Sequence, residues 1–136
     1  LVTGTLPIPY DDTIPQYPTE GTEGMVLSIT PKSATNYLKI DVVVNMAAPV
    51  ASICAIALYQ DITANALAVG SRYVPDGNGL QLTLTHYMLA GTTNYTTFKT
   101  WFGGNSGGTY NLNGVGGSRY YGGNLASSMT ITELTP

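Results

Sequence analysis

Tyr37-Leu-Lys-Ile-Asp-Val-Val-Val44 decides the fold. Leu38, Ile40, Val42 and Val44 fall on one side of an extended chain, and Tyr37, Lys39 and Asp41 fall on the other. This is the two-residue repeat of a strand with one dry face. The pattern recurs in Leu80 to Met88, where Leu80, Leu82, Leu84, His86 and Met88 alternate with Gln81, Thr83, Thr85 and Tyr87. In Tyr95 to Phe102, Phe98 and Phe102 oppose Tyr95, Lys99 and Trp101, and Met129 and Ile131 alternate with Thr130 and Thr132. Met25 to Thr30 reads as a first strand stopped by Pro31. Asp61 to Ala68 is too short for a helix and reads as a turn entering a strand. Turn signals at Pro31-Lys-Ser, Ala48-Pro49, Pro75-Asp-Gly-Asn-Gly79 and Ala90-Gly91 separate these runs. Short strands at roughly ten-residue spacing predict an all-β, antiparallel sandwich or barrel.

Ser52 to Leu58 breaks the alternation. Ile53, Ala55 and Ala57 make one face, Cys54, Ile56 and Leu58 the other, and both are apolar. A strand of an antiparallel sandwich normally wets one face, so the second needs a cover. A neighbouring subunit is the expected source, which makes Cys54, Ile56 and Leu58 candidate interface residues. A strand lying under the N-terminal segment reads alike.

Residues 1–24 read as an extended arm. Pro7, Pro9, Pro15 and Pro18 each remove a backbone donor and push the preceding residue out of the helical region. Ile8, Tyr10, Ile14 and Tyr17 supply apolar anchors that a solvated linker lacks. Ile8, Ile14 and Tyr17 join the candidate interface. Residues 25–136 form the expected sandwich, with a Gly-rich loop region at 103–123 interrupted by a short strand around Thr109 to Asn113 and another near Arg119 to Tyr121.

The 136 residues fit one domain with a small core. Only 10% are charged, against about 25% in ordinary soluble domains, as suits a subunit partly covered by partners. A net charge of −3 with five basic residues spread along the chain leaves no phosphate-tracking stripe, so no nucleic-acid partner is expected. No run approaches the roughly 18 apolar residues of a membrane helix, and no membrane insertion is expected. The start at Leu1, with no signal peptide, reads as a fragment or a processed product. Cys54 stands alone and makes no intrachain disulfide.

Little in the inventory does chemistry. His86 lies on an apolar face and reads as a hydrogen-bonded core histidine rather than a general base. Asp11-Asp12 and Glu20/Glu23 lie in the arm, where adjacent acids point apart and make a poor pair for glycoside cleavage. Asp76-Gly-Asn78 lacks the spaced ligands of a calcium loop and reads as a hairpin turn. Gly114-Val-Gly-Gly117 completes no dinucleotide fingerprint, and Asn94-Tyr-Thr96 matches a glycosylation sequon. No catalytic residue, metal or cofactor is expected, and a non-enzymatic role is. Ten tyrosines and Trp101 among Ser, Gly and Asn have the composition of recognition loops. Trp101, Tyr110, Tyr120 and Tyr121 are the candidate ligand-binding residues.

Ile8-Pro-Tyr-Asp-Asp-Thr-Ile-Pro-Gln16, Thr19-Glu-Gly-Thr-Glu23 and Leu27-Ser-Ile-Thr-Pro-Lys-Ser33 together resemble a family of C-terminal domains of bacteriophage tail-fibre and virion-surface proteins, also found in prophage-derived proteins. Ala57-Leu-Tyr-Gln-Asp61, Ala64-Asn-Ala-Leu67, Tyr87-Met-Leu-Ala-Gly-Thr-Thr93 and Ser128-Met-Thr-Ile-Thr-Glu133 extend the likeness over nearly the whole chain. The resemblance implies a jelly-roll-like sandwich, a homotrimer on a virion surface (tail fibre or capsid exterior), and contact with other virion proteins. A receptor-binding head recognising a host-surface glycan or protein is the leading expectation. A capsid decoration or fibre-cap protein is the alternative, and a polysaccharide depolymerase is a third.

Overall fold

The computed structural model describes residues 1–136. The strands are β1 (Val2–Gly4), β2 (Thr22–Ile29), β3 (Tyr37–Ala47), β4 (Ser52–Gln60), β5 (Ala68–Val74), β6 (Gly79–Leu89), β7 (Thr96–Gly104), β8 (Tyr110–Leu112), β9 (Gly114–Val115), β10 (Ser118–Arg119) and β11 (Ser128–Leu134). A single 3-10 turn, Tyr121–Gly123, is the only helical element. All pairings are antiparallel.

In one sheet β3 is central. Its whole length pairs with β6, from Tyr37 opposite Leu89 to Ala47 opposite Gly79. Its other edge is shared end to end by β11, which faces Tyr37 to Val43, and by β8, which faces Met46 and Ala47. β1 then pairs with β8. The second sheet runs in the order β2-β7-β4-β5. A hairpin of β9 and β10 stands apart from both.

The alternation dictates the core. Leu38, Ile40, Val42, Val44 and Met46 of β3, with Leu82 and Leu84 of β6, face Cys54, Ile56 and Leu58 of β4 and Phe98 and Phe102 of β7. Cys54, Ile56 and Leu58 are therefore at the centre of the protomer and fully buried, not at a subunit interface. Fully burying one such aliphatic side chain contributes about 1.5–3 kcal/mol.

The opposite face of β4 is covered as well, and by the same chain. Residues 5–21 cross the outer side of the β2-β7-β4-β5 sheet as a strap. Ile8 N donates to Gly104 O at 3.1 Å, and Gly21 N donates to Pro7 O at 2.9 Å. Tyr17 N donates to Ala64 O at 2.7 Å, and Ala66 N donates to Pro15 O at 3.0 Å. Beneath the strap, Ile8, Ala55, Ala57, Tyr59 and Trp101 form a second, smaller core against which Tyr17 packs. Ile8 is therefore spent inside its own protomer, and Tyr17 is half-buried there, while Ile14 stays exposed. The inference that copies must shelter one another's β4 loses its ground. The cover is the N-terminal segment, which the sequence pattern alone could not tell from a neighbour.

The boundaries also differ from the expected arm of 1–24. Val2–Gly4 is a sheet strand, and β2 already begins at Thr22. Gly103 and Gly104 are not loop residues but the buried end of β7. A Cβ on Gly103 would sit 2.8 Å from the Leu6 carbonyl oxygen, so a side chain there would lift the strap.

His86 lies opposite Ile40 on the inward side of the edge strand β6, half-buried rather than enclosed. Burial holds its pKa below the usual histidine value. The C-terminal strand closes one end of the sandwich. Glu133 Oε1 accepts from Lys32 N at 2.7 Å, Ser33 N at 3.3 Å and Asn36 Nδ2 at 2.6 Å.

Candidate functional site

The register gathers four connections at the opposite end. Ser52 lies opposite Val74, Cys54 opposite Gly104, and Ala47 opposite both Gly79 and Asn111. The connections 48–51, 75–78 and 105–109 therefore turn side by side, and the strap reaches β2 at the same end, where Thr22 faces Phe102. Beside them, residues 113–127 leave the sheet between β8 and β11 and carry the β9-β10 hairpin.

The base of this insertion is fastened by Asn45. Asn113 N donates to Asn45 O at 2.8 Å, Asn45 N to Ser127 Oγ at 3.0 Å, and Asn45 Nδ2 to Ala126 O at 2.7 Å. Ser127 Oγ donates in turn to Asn113 Oδ1 at 2.6 Å. Asn111, itself buried, accepts from Gly117 N at 2.8 Å and so holds the hairpin turn. The Gly-rich stretch is thus built onto the sheet by amide side chains. Asn113, Gly116, Gly117 and Tyr121 take positive φ, the conformations that turn the chain back on itself.

The four candidate aromatic residues divide. Tyr110 is buried: its hydroxyl shares a 2.6 Å hydrogen bond with Ser52 Oγ, donates to Ser106 O at 2.8 Å and accepts from Ser106 N at 3.2 Å. It pins the 105–109 turn and offers no face to a ligand. Trp101 is only 8% exposed and lies edge-on to Tyr17 at 5.1 Å between ring centroids, beneath the strap. Neither belongs to a recognition surface. Tyr120 and Tyr121 remain outside the sheets, 47% and 78% exposed, on the chain leaving the hairpin.

Cavities ring this end of the molecule. One of about 510 Å³ lies between Pro49, Gly77, Thr109, Asn111 and the hairpin turn. A second, of about 260 Å³, lies between Asn45, Gln81, Val115 and Leu125. A third, of about 330 Å³, follows the 75–78 connection from Arg72 and Tyr73 to Gln81. A fourth, of about 190 Å³, opens under the strap between Tyr10, Thr13, Ile53 and Val69. The sequence pattern missed Asn45, Asn111, Tyr73 and Gln81. For Asn111, an amide within a short strand flanked by glycines was the available signal; Asn45 sits in the ordinary outward register of β3 and gave none.

Burial pushes the Cys54 thiol up to about 11 and, with the Glu20 carboxylate nearby, the Tyr59 hydroxyl to about 12. Both are thereby held neutral and unreactive. Asp11 is engaged by Thr13, whose N and Oγ1 donate to its Oδ1, which lowers its pKa. Glu20 Oε2 accepts from Gln16 N at 2.8 Å. No three His, Cys, Asp or Glu side chains come together as a metal site, and no helix is long and apolar enough to cross a membrane.

The class defined by this geometry is an all-β protein of two antiparallel sheets packed face to face, with its cavities and longest insertion at one end. No protein-family model matches the chain, and no curated protein matches it.

Proposed function

We propose that this chain is a non-enzymatic virion-surface domain of a bacteriophage that binds the host surface through the loop end of its sandwich. The observation that carries the reading is the insertion 113–127. It is fastened at its base by Asn45, yet holds Tyr120 and Tyr121 out in solvent. Exposed tyrosines on a rigid frame supply contact area at low entropic cost. The strand orders β1-β8-β3-β6 and β2-β7-β4-β5 support a jelly roll, an architecture shared by viral capsid and lectin domains. The motifs of the first 33 residues support the virion setting through their resemblance to tail-fibre and virion-surface domains. The trimer is part of that resemblance. Three weak sites on one head would raise avidity without a new contact in any of them.

A capsid decoration or cap protein would use the N-terminal segment as a clamp on its neighbour. Here Ile8 and Tyr17 pack on their own sheet, which favours the receptor-binding reading. A depolymerase draws no support from the strap carboxylates, since Asp11 and Glu20 serve local turns.

Binding of fluorescently labelled protein to a panel of bacterial strains tests the proposal. Labelling of particular strains is expected, together with at least a tenfold loss in a Tyr120→Ala/Tyr121→Ala double variant of unchanged oligomeric state. Protein that labels no strain, yet decorates capsids, would replace this reading with the structural one.

A further inference from the structure

We infer that the three cavities around the loop end are one continuous trough for a neutral, linear glycan. The inference rests on the host-binding reading and deepens it by adding a second contact surface beside the hairpin tyrosines. Val115 walls both the 510 and the 260 Å³ cavities. Gly79, Leu80 and Gln81 wall both the 260 and the 330 Å³ cavities. Neither Tyr120 nor Tyr121 lines any of the three.

The shape selects a polymer. A compact small molecule is bound by burying most of its surface in a concave pocket, whereas these cavities are shallow and joined end to end. A ligand that fits must gather small contacts along its length.

The lining selects the chemistry. Asn78 presents a whole amide, Thr109 a hydroxyl, and Gln81 its amide oxygen, since Gln81 Nε2 donates to Asn45 Oδ1 at 3.2 Å and Asn45 Nδ2 is taken by Ala126. Sugar hydroxyls are donor and acceptor at once, so they pair with each of these groups. Charge is confined to Arg72 and Asp76, of opposite sign and at one end. An anionic polysaccharide would call for a row of cations, which is absent. An extended peptide would call for a series of apolar sockets for its alternate side chains. The lining instead is largely glycine, at Gly77, Gly79, Gly114, Gly116 and Gly117, with a single apolar patch of Met46, Leu80, Val115 and Leu125. Tyr73, 61% exposed at the charged end, offers an aromatic face for a sugar ring.

An array printed with neutral and anionic bacterial polysaccharides, probed with the full chain, tests the inference. Retention confined to neutral, unbranched polysaccharides is expected. Tyr73→Ala and Gln81→Ala should each weaken it about tenfold, the scale of one lost stacking or hydrogen-bonding contact. Tyr95→Ala, on the same molecule but away from the trough, should leave it unchanged. Tyr73, Gln81 and Tyr95 are all exposed, so circular dichroism of the variants should match that of the parent. Retention of anionic polysaccharides alone, or indifference to Tyr73 and Gln81, overturns the trough. Strain labelling that persists in those variants, and is lost only with Tyr120 and Tyr121, leaves host attachment standing while the trough falls. Labelling of no strain removes both.

Discussion

At the scale of single residues, the second core beneath the strap holds the sharpest anomaly. Tyr59 Oη and Trp101 Nε1 are both buried without a hydrogen-bond partner in the protein. Buried polar groups are almost always paired, and an unpaired one costs about 1–3 kcal/mol. The Tyr59 ring itself packs well, at 5.9 Å from Tyr17 and 6.2 Å from Trp101 between centroids. Tyr59→Phe keeps that packing and removes the orphan oxygen. The expected outcome in urea unfolding is a gain of up to about 1 kcal/mol. A loss of similar size would mean that the hydroxyl is bridged by an internal water, as roomy polar sites allow.

At the scale of elements, the strap and the C-terminal strand fasten the sandwich by different physics. The strap is held by apolar burial. Ile8 is 2% exposed, and its aliphatic chain lies against Gly21 and Gly103, where only glycine leaves room. Ile8→Ala should cost about 2–4 kcal/mol by calorimetry, within the range for large-to-small core changes. A change below the noise would mean that the strap is not seated on its own sheet in solution. The C-terminal strand is held by charge-assisted hydrogen bonds. The Asn36 amide, then the Lys32 and Ser33 backbone N–H groups, hold the Glu133 carboxyl below its ordinary value of 4.5. A depressed carboxyl contributes stability that is present above the unfolded value and lost as pH falls through the folded one. Glu133→Gln should therefore lower the urea midpoint at neutral pH. The gap to the parent should close as pH drops below 4.5. A gap that stays constant through acid would assign the effect to packing instead of ionisation. These two elements also mark what the sequence could tell. The strands with one dry face, β3, β6 and β11, were legible because period-two alternation is local. The cover of β4 was not, because an apolar second face specifies that something lies over it and not what. Of the candidate site, composition gave the aromatic residues but not their exposure, and burial separates Tyr110 and Trp101 from Tyr120 and Tyr121. Burial is a property of the register, which no single strand encodes. The Asn45 fastening joins residues some 80 positions apart, beyond any local pattern.

At the scale of the whole molecule, the two cores change what assembly has to do. With Cys54, Ile56 and Leu58 inside one sheet pair and Ala55, Ala57 and Tyr59 under the strap, a single protomer hides both faces of its most apolar strand. Folding and assembly are then separable, unlike in obligate oligomers whose stability cannot be divorced from protomer concentration. A trimer would have to join through other surfaces, such as the outer face of the β3-β6 sheet, where Tyr37, Tyr87, Leu89 and Leu134 are exposed. Diluting the protein until sedimentation gives a single subunit should leave its far-ultraviolet dichroism and thermal midpoint unchanged. Two variants sharpen the point. On the trimeric reading, Leu89→Lys should lower the assembled fraction without moving the midpoint of the dissociated subunit. Ile8→Ala should lower that midpoint without a specific effect on assembly. A midpoint that falls steadily with dilution, alongside the mass, would return the apolar faces of β4 to a shared interface and place the strap on a neighbouring copy.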